Sequence, residues 1–298
     1  MPLPTEVLDH QALQRVSKLR LIARTVVESF ISGQHRSVYK GFSVEFAQHR
    51  EYARGDEIRH IDWKVFSRSD RLFVKQYEEE TNLRATICLD ASGSMRYGSV
   101  NGEDKFTYAR KVAAALAYLM IGQSDSVGLA IFDTEVKQMI PPRSTTAHLS
   151  NLLKILVDTE PGNETDISPV LHNIGGQIRR RGLVIVISDL FTKIEDLTNA
   201  LAHFHHQRHE VILLQVLDPH EINFPFENVA EFRSLENPGH RIKLDAARIR
   251  KLYLERFELF VKRLREACHR FHFDHVVLPT DKPFDTALSH YLNHRRGR

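Results

Sequence analysis

Cysteine is scarce in this chain of 298 residues: only Cys88 and Cys268 occur. Two cysteines so far apart exclude a disulfide framework and a paired zinc spacing, and they read as free thiols inside apolar segments. An excess of one charge is lacking too. The 41 basic and 38 acidic residues leave a net charge of +3, so composition gives no ground for a nucleic-acid partner. The run Arg179-Arg180-Arg181 and the tail NHRRGR are local and read as solvated helix ends. Long hydrophobic runs are missing: no stretch approaches the ~18 apolar residues of a membrane-spanning helix. The opening MPLPTEVLDHQ has no basic segment followed by an apolar one, as a secretory leader would. A cytoplasmic location without a direct membrane span is expected, with attachment through a partner left open. There is no G-x-x-x-x-G-K-[ST] loop to cradle a nucleotide phosphate and no G-x-S-x-G nucleophile elbow. Internal repeats and low-complexity linkers are also absent.

What is present falls into two textures. Residues 5–32 carry apolar side chains at helical spacing (Leu13, Val16, Leu19, Ile22, Val26, Val27, Phe30) and stop at Ser32-Gly33, which predicts one or two helices. Residues 41–80 read as a β-rich lead-in, with FSVEFAQHREY alternating and RLFVKQYEEE fading into charge. These make an N-terminal extension, 1–83. From 84 onward, apolar strands alternate with amphipathic helices. Strands are predicted at 84–90, 126–132, 183–188, 211–217 and 275–278, and helices near 105–121, 148–157, 167–180, 195–206, 246–272 and 284–293. A further strand at 136–140 follows the second one across Asp133-Thr134, too short a link for a helix, so it should pair antiparallel at an edge. The fold class is therefore α/β, with a mostly parallel sheet covered by helices on both faces. An insertion with two short strands is expected at about 218–245.

The stretch ATICLDASGSMRYG, residues 85–98, raises the functional question. An apolar strand stops at Asp90, and hydroxyls follow at Ser92 and Ser94. Another apolar strand, LVIVISDL, ends with Asp189, and GNETDISPVL places Thr165 in a loop before a helix. In an open α/β sheet, ligands bind outside the carboxyl ends of the strands. Two carboxylates and three hydroxyls on that rim suit a hard cation with oxygen ligands, Mg²⁺ (or Mn²⁺). With neutral hydroxyls as inner ligands, such an ion stays short of negative charge and would take an anionic ligand, a Glu or Asp carboxylate from a partner.

These residues resemble a known site. Asp90-Ala91-Ser92-Gly93-Ser94, with Thr165 and Asp189, is similar to the metal-ion-dependent adhesion site of von Willebrand factor A domains. The resemblance implies a Rossmann-like six-stranded sheet over 84–298. Its strand order, counted from residue 84, would be 3-2-1-4-5-6, with the third strand antiparallel. Upstream, YARGDEIRHIDWKVFSR (Tyr52, Gly55, Asp56, Arg59, Ile61, Asp62, Trp63, Ser67, Arg68) resembles the signature of the bacterial family called domain of unknown function 58. That family joins this segment to a von Willebrand A-like domain, and its members are commonly encoded beside MoxR-type AAA+ ATPases. The resemblance implies a non-enzymatic adaptor or assembly factor working with such an ATPase. If the metal is a docking point for a partner carboxylate, the loop residues around the rim, Met95, Arg96, Asn163 and Glu164, would set partner specificity, with Arg96 free to pair with a second partner acid.

Simpler roles exist for several of these residues. The signature segment could serve folding, with an Arg59–Asp62 or Arg68–Asp56 ion pair and Trp63 packed on a sheet. The histidines of HFHHQRH and CHRFHFDH fall at helix ends, where imidazole suits the C-terminal dipole. The alternative function is a metal-dependent phosphoryl hydrolase using Asp90. Such an enzyme usually carries a second acid two residues on, where this chain has Ser92.

Overall fold

The computed structural model describes residues 10–33, 48–52, 63–69, 71–76, 83–98, 103–162, 167–235, 239 and 241–296. The chain divides into two compact units, one formed by 1–30 with 83–298 and the other by 31–82. Among the described residues, one N-terminal helix, α1 (His10–Gly33), buries Leu19, Ala23, Val27 and Phe30. Their spacing of three and four residues puts them on one stripe.

In the smaller unit, β1 (Gln48–Glu51) and β2 (Phe73–Gln76) pair antiparallel. Between them in sequence lies α2 (Trp63–Ser69). A helix here departs from the β-rich expectation, because WKVFSRS is too short for periodicity to separate the two states. Trp63 is 58% exposed and meets Phe66 edge to face, so it is not packed on a sheet. Gly55, Asp56, Arg59, Ile61 and Asp62 lie outside the described residues, and the two expected ion pairs with them.

The larger unit continues as β3 (Arg84–Asp90), a 3-10 turn (Gly93–Arg96), α3 (Lys105–Gly122), β4 (Ser126–Phe132), β5 (Val136–Arg143), α4 (Thr146–Asp158) and α5 (Ile167–Gln177). Then come β6 (Leu183–Ser188), α6 (Ile194–His206), β7 (Glu210–Leu217), α7 (Pro219–Asn223), β8 (Val229–Arg233), β9 (Arg241–Asp245), α8 (Ala246–Arg270), β10 (Asp274–Pro279) and α9 (Asp285–Arg296). Six strands form one sheet in the order β10-β7-β6-β3-β4-β5. Only β5 runs antiparallel. Counted from residue 84 this is the expected 3-2-1-4-5-6, a von Willebrand factor A-type sheet. The 218–245 insertion holds the short helix α7 and the β8–β9 hairpin.

β3 is central because every residue after Arg84 is buried on one face or the other, as a strand covered on both sides must be. On one face Cys88, Ala130, Val184, Val186 and Leu213 pack against Leu171 and Ile174 of α5, Leu201 and Phe204 of α6, and Leu264 and Cys268 of α8. On the other, α3 packs on the sheet between α4 and α9. Two glycines fix close approaches. A Cβ at Gly175 would meet the His203 ring at 2.7 Å, where α5 and α6 touch, and one at Gly128 would meet the Ile140 carbonyl at 2.7 Å beside Pro142. β5 is one of the two edge strands, paired with β4 among the described residues, and it carries Pro141-Pro142 near its end.

Candidate metal centre

The chain reverses its winding at β3, which takes β4 on one side and β6 on the other. The crevice at such a switch point opens at the carboxyl ends of the two strands. β3 ends there in Asp90, and β6 ends in Ser188-Asp189.

Asp90 is held on both oxygens. Its Oδ1 accepts from the Ser92 backbone N–H at 2.8 Å and its Oδ2 from the Ser188 hydroxyl at 2.5 Å. The first bond is an Asx-type turn, the local reason the chain leaves the strand at this point. The following 3-10 turn presents Ser92 and Ser94 side by side, their Oγ atoms 3.1 Å apart. The Ser94 hydroxyl then donates to Asp189 Oδ2 at 2.8 Å. Asp189 is set by a second tight turn: its Oδ1 accepts from Phe191 N–H, Ser188 Oγ accepts from Leu190 N–H, and Leu190 adopts a left-handed φ of 60°. Behind it, buried Gln215 of β7 donates to the Asp189 carbonyl at 3.0 Å.

The sequence thus brings Asp90, Ser92, Ser94 and Asp189 into one hydrogen-bonded group. Thr165, Asn163 and Glu164 lie outside the described residues. The segment just before them is anchored beside the group: Gly162 N–H donates to the Ala91 carbonyl at 2.8 Å, and the Arg96 guanidinium donates twice to the Pro161 carbonyl. Arg96, itself exposed, thus ties the 3-10 turn to this strap. Met95 is a correction. The 3-10 turn points its side chain inward and buries it completely, because an unbranched apolar chain gains about 1.5–3 kcal/mol inside. It cannot serve as a rim contact.

The electrostatics are those of crowded, buried carboxylates. Burial, and then the nearby Asp189 carboxylate, push the Asp90 carboxyl up to about 7, against the hydrogen bonds from Ser188 and Ser92. A buried carboxylate beside another is costly unless positive charge is supplied. The oxygen set of two carboxylates and two hydroxyls fits Mg²⁺ or Mn²⁺ and would suit a soft metal poorly.

Two residues of this site were not anticipated. Lys105, the first residue of α3, is 1% exposed, and its Nζ bonds Asp189 Oδ2 at 2.8 Å and Glu221 Oε1 at 2.7 Å. The same Nζ sits 5.4 Å from the centre of the Phe191 ring. Burial alone would lower the Lys105 pKa, but Asp189 and Glu221 outweigh it and hold it above the ordinary lysine value. Glu221 is fixed from below by a capping box on α7, accepting from the Asp218 N–H at 2.8 Å. One signal for Lys105 was legible: a cation in the first turn opposes the helix dipole, so something else must hold it there. Asp133 closes the β4–β5 turn and pairs with Lys137 at 2.6 Å.

The model of a family described as "Protein of unknown function DUF58" matches residues 48–259. The chain belongs to the DUF58 family. It is 26% identical to an uncharacterized protein of Mycobacterium tuberculosis over 225 residues, 74% of this chain and 69% of that one. Among solved structures it is similar to BatB, a conserved hypothetical protein of Bacteroides thetaiotaomicron. That likeness has 15% identity and a TM-score of 0.46, over 72% of this chain and all of the other. It is similar also to an aerotolerance-related membrane protein of Bacteroides fragilis, at 17% identity and a TM-score of 0.47, over 71% of this chain and 99% of that one. Among the described residues of this DUF58 protein, no helix is long and apolar enough to cross a membrane.

Proposed function

We propose that this DUF58 protein is a metal-dependent protein-docking module, an adaptor or assembly factor whose partner is a MoxR-type AAA+ ATPase. The observation that carries the reading is the convergence of Asp90, Ser92, Ser94 and Asp189 at the switch point of a von Willebrand factor A-type sheet. Ser92 and Ser94 would hold Mg²⁺ or Mn²⁺, with Asp90 and Asp189 supplying compensating charge and Thr165 completing the set. A bound metal would supply Lewis acidity toward a carboxylate from outside. The protein's own part is orientation. Ser188 and the Ser92 N–H fix the Asp90 carboxylate, and Gln215 fixes the turn that carries Asp189. Nothing in this arrangement needs a bond to break, so the reading is non-enzymatic.

The test is calorimetry with Mg²⁺ and Mn²⁺ on the wild type and Asp90→Ala, followed by capture of a MoxR-type ATPase in Mg²⁺ and in EDTA. Weak metal binding lost in Asp90→Ala, with capture that needs Mg²⁺ and one acidic residue of the ATPase, supports the docking reading. Unchanged metal affinity in Asp90→Ala overturns it. So does steady turnover of a phosphate ester that vanishes in Asp90→Asn, which would make the chain a hydrolase.

A further inference from the structure

The Lys105 ammonium is nearly sealed from solvent and touches the same Asp189 oxygen, Oδ2, that accepts from Ser94. That oxygen belongs to the candidate metal site, so the site already contains a positive charge, tethered to α3. The same ammonium is shared almost equally with Glu221, at 2.7 Å against 2.8 Å. Glu221 comes from the other side, on α7, and its second oxygen is anchored by the Asp218 N–H. A like charge in a water-poor crevice repels an arriving cation, while a second carboxylate offers the ammonium somewhere else to stay.

We propose that Lys105 is a built-in competitor of the metal: its ammonium neutralises Asp189 until a divalent cation arrives, then is retained by Glu221 alone, so that Lys105 and Glu221 together set the metal affinity. This rests on the metal-docking reading above. The assignment gives opposite signs to two neutral replacements. Removing the ammonium removes the competitor. Removing the Glu221 charge confines the ammonium to Asp189 and strengthens the competition. It also explains why an apolar helix such as α3 begins with a buried lysine: the two carboxylates, and the Phe191 face beneath it, compensate for the unfavourable dipole.

The experiment is direct titration of Mg²⁺ by calorimetry and of Mn²⁺ by paramagnetic resonance, with no partner or substrate present. Lys105→Met should bind about tenfold more tightly than the wild type, and Glu221→Gln more weakly. Lys105→Met leaves the buried Asp189 and half-buried Glu221 carboxylates without their cation and can fail to fold, so the charge-balanced pair Lys105→Met/Glu221→Gln is measured as well. It too should bind more tightly than the wild type. Lys111→Met, which removes another cation of α3 that pairs with Glu103, should leave the affinity where it was. Tighter binding in the Lys105 variants alone supports the proposal. If the wild type binds and the Lys105 variants bind no more tightly, or Lys111→Met tightens binding as much, the competitor role falls and the docking site stands. If neither wild type nor variants bind at millimolar metal, both fall together.

Discussion

The Ser188 hydroxyl donates to Asp90 Oδ2 at 2.5 Å, joining the last residue of β6 to the last residue of β3. The Ser188 Oγ in turn accepts from the Leu190 N–H at 3.0 Å. One small side chain therefore orients the Asp90 carboxylate and stabilises the left-handed turn that aims Asp189. Ser188→Ala would leave a buried carboxylate oxygen and a buried N–H without this partner. We predict a loss of about 1–3 kcal/mol, measured by chemical denaturation, together with weaker divalent-cation binding by calorimetry. Unchanged stability would show that water replaces the hydroxyl.

A second prediction concerns acid. His275 of β10 bonds Gln215 Oε1 through Nε2 at 3.0 Å, and its Nδ1 has no protein partner. Burial, with a smaller push from Arg265, lowers its pKa from 6.5 to about 4. Between those values the unfolded chain takes up a proton that the folded chain refuses, so this group makes stability fall as pH drops through the window. Its slope cannot exceed about 1.4 kcal/mol per pH unit. Asp90 acts in the opposite sense over an overlapping range, since its pKa is raised from 3.8 to about 7. The informative quantity is therefore the difference between wild type and His275→Gln in urea denaturation across the window. The variant should lose less stability toward pH 4; parallel curves would remove His275 from the account.

Gly128 gives a third. Its α-carbon faces the carbonyl of Ile140 and the ring of Pro142, across the irregular register of β4 and β5. The Cβ of Gly128→Ala would sit 2.7 Å from a backbone oxygen, a contact that only a backbone shift can relieve. We predict a loss of about 1–3 kcal/mol, read as a lower thermal midpoint. Gly122→Ala, with nothing within 4 Å of the added carbon, should be neutral or better.

Much of the fold was legible because buried parallel strands are apolar throughout. The predicted spans of β3, β4 and β6 coincide with the observed ones. β5 runs on to Arg143, beyond the predicted 140, because the prolines that look like a terminator are tolerated at an edge. Of the candidate site, Asp90, Ser92, Ser94 and Asp189 were visible as oxygen-bearing residues at strand ends. Glu221 was not, and Lys105 showed only as a cation ill placed at a helix start, since each reads as a solvated helix charge until the fold sets them 2.7 Å apart. Met95 misled because its neighbours in sequence are polar, whereas a 3-10 turn has three residues per turn, so one position can face inward between two that do not.

Pro141 and Pro142 have one more consequence. The open side of β5 is where a second chain could add as a strand, in the folded protein and in half-made copies during synthesis. Two of the eight residues of this strand have no N–H to offer, so a foreign strand would find the hydrogen-bond ladder interrupted near its end. The backbone itself thus works against fibre-like self-association at this end of the strand, beside the exposed charges of Lys137 and Arg143.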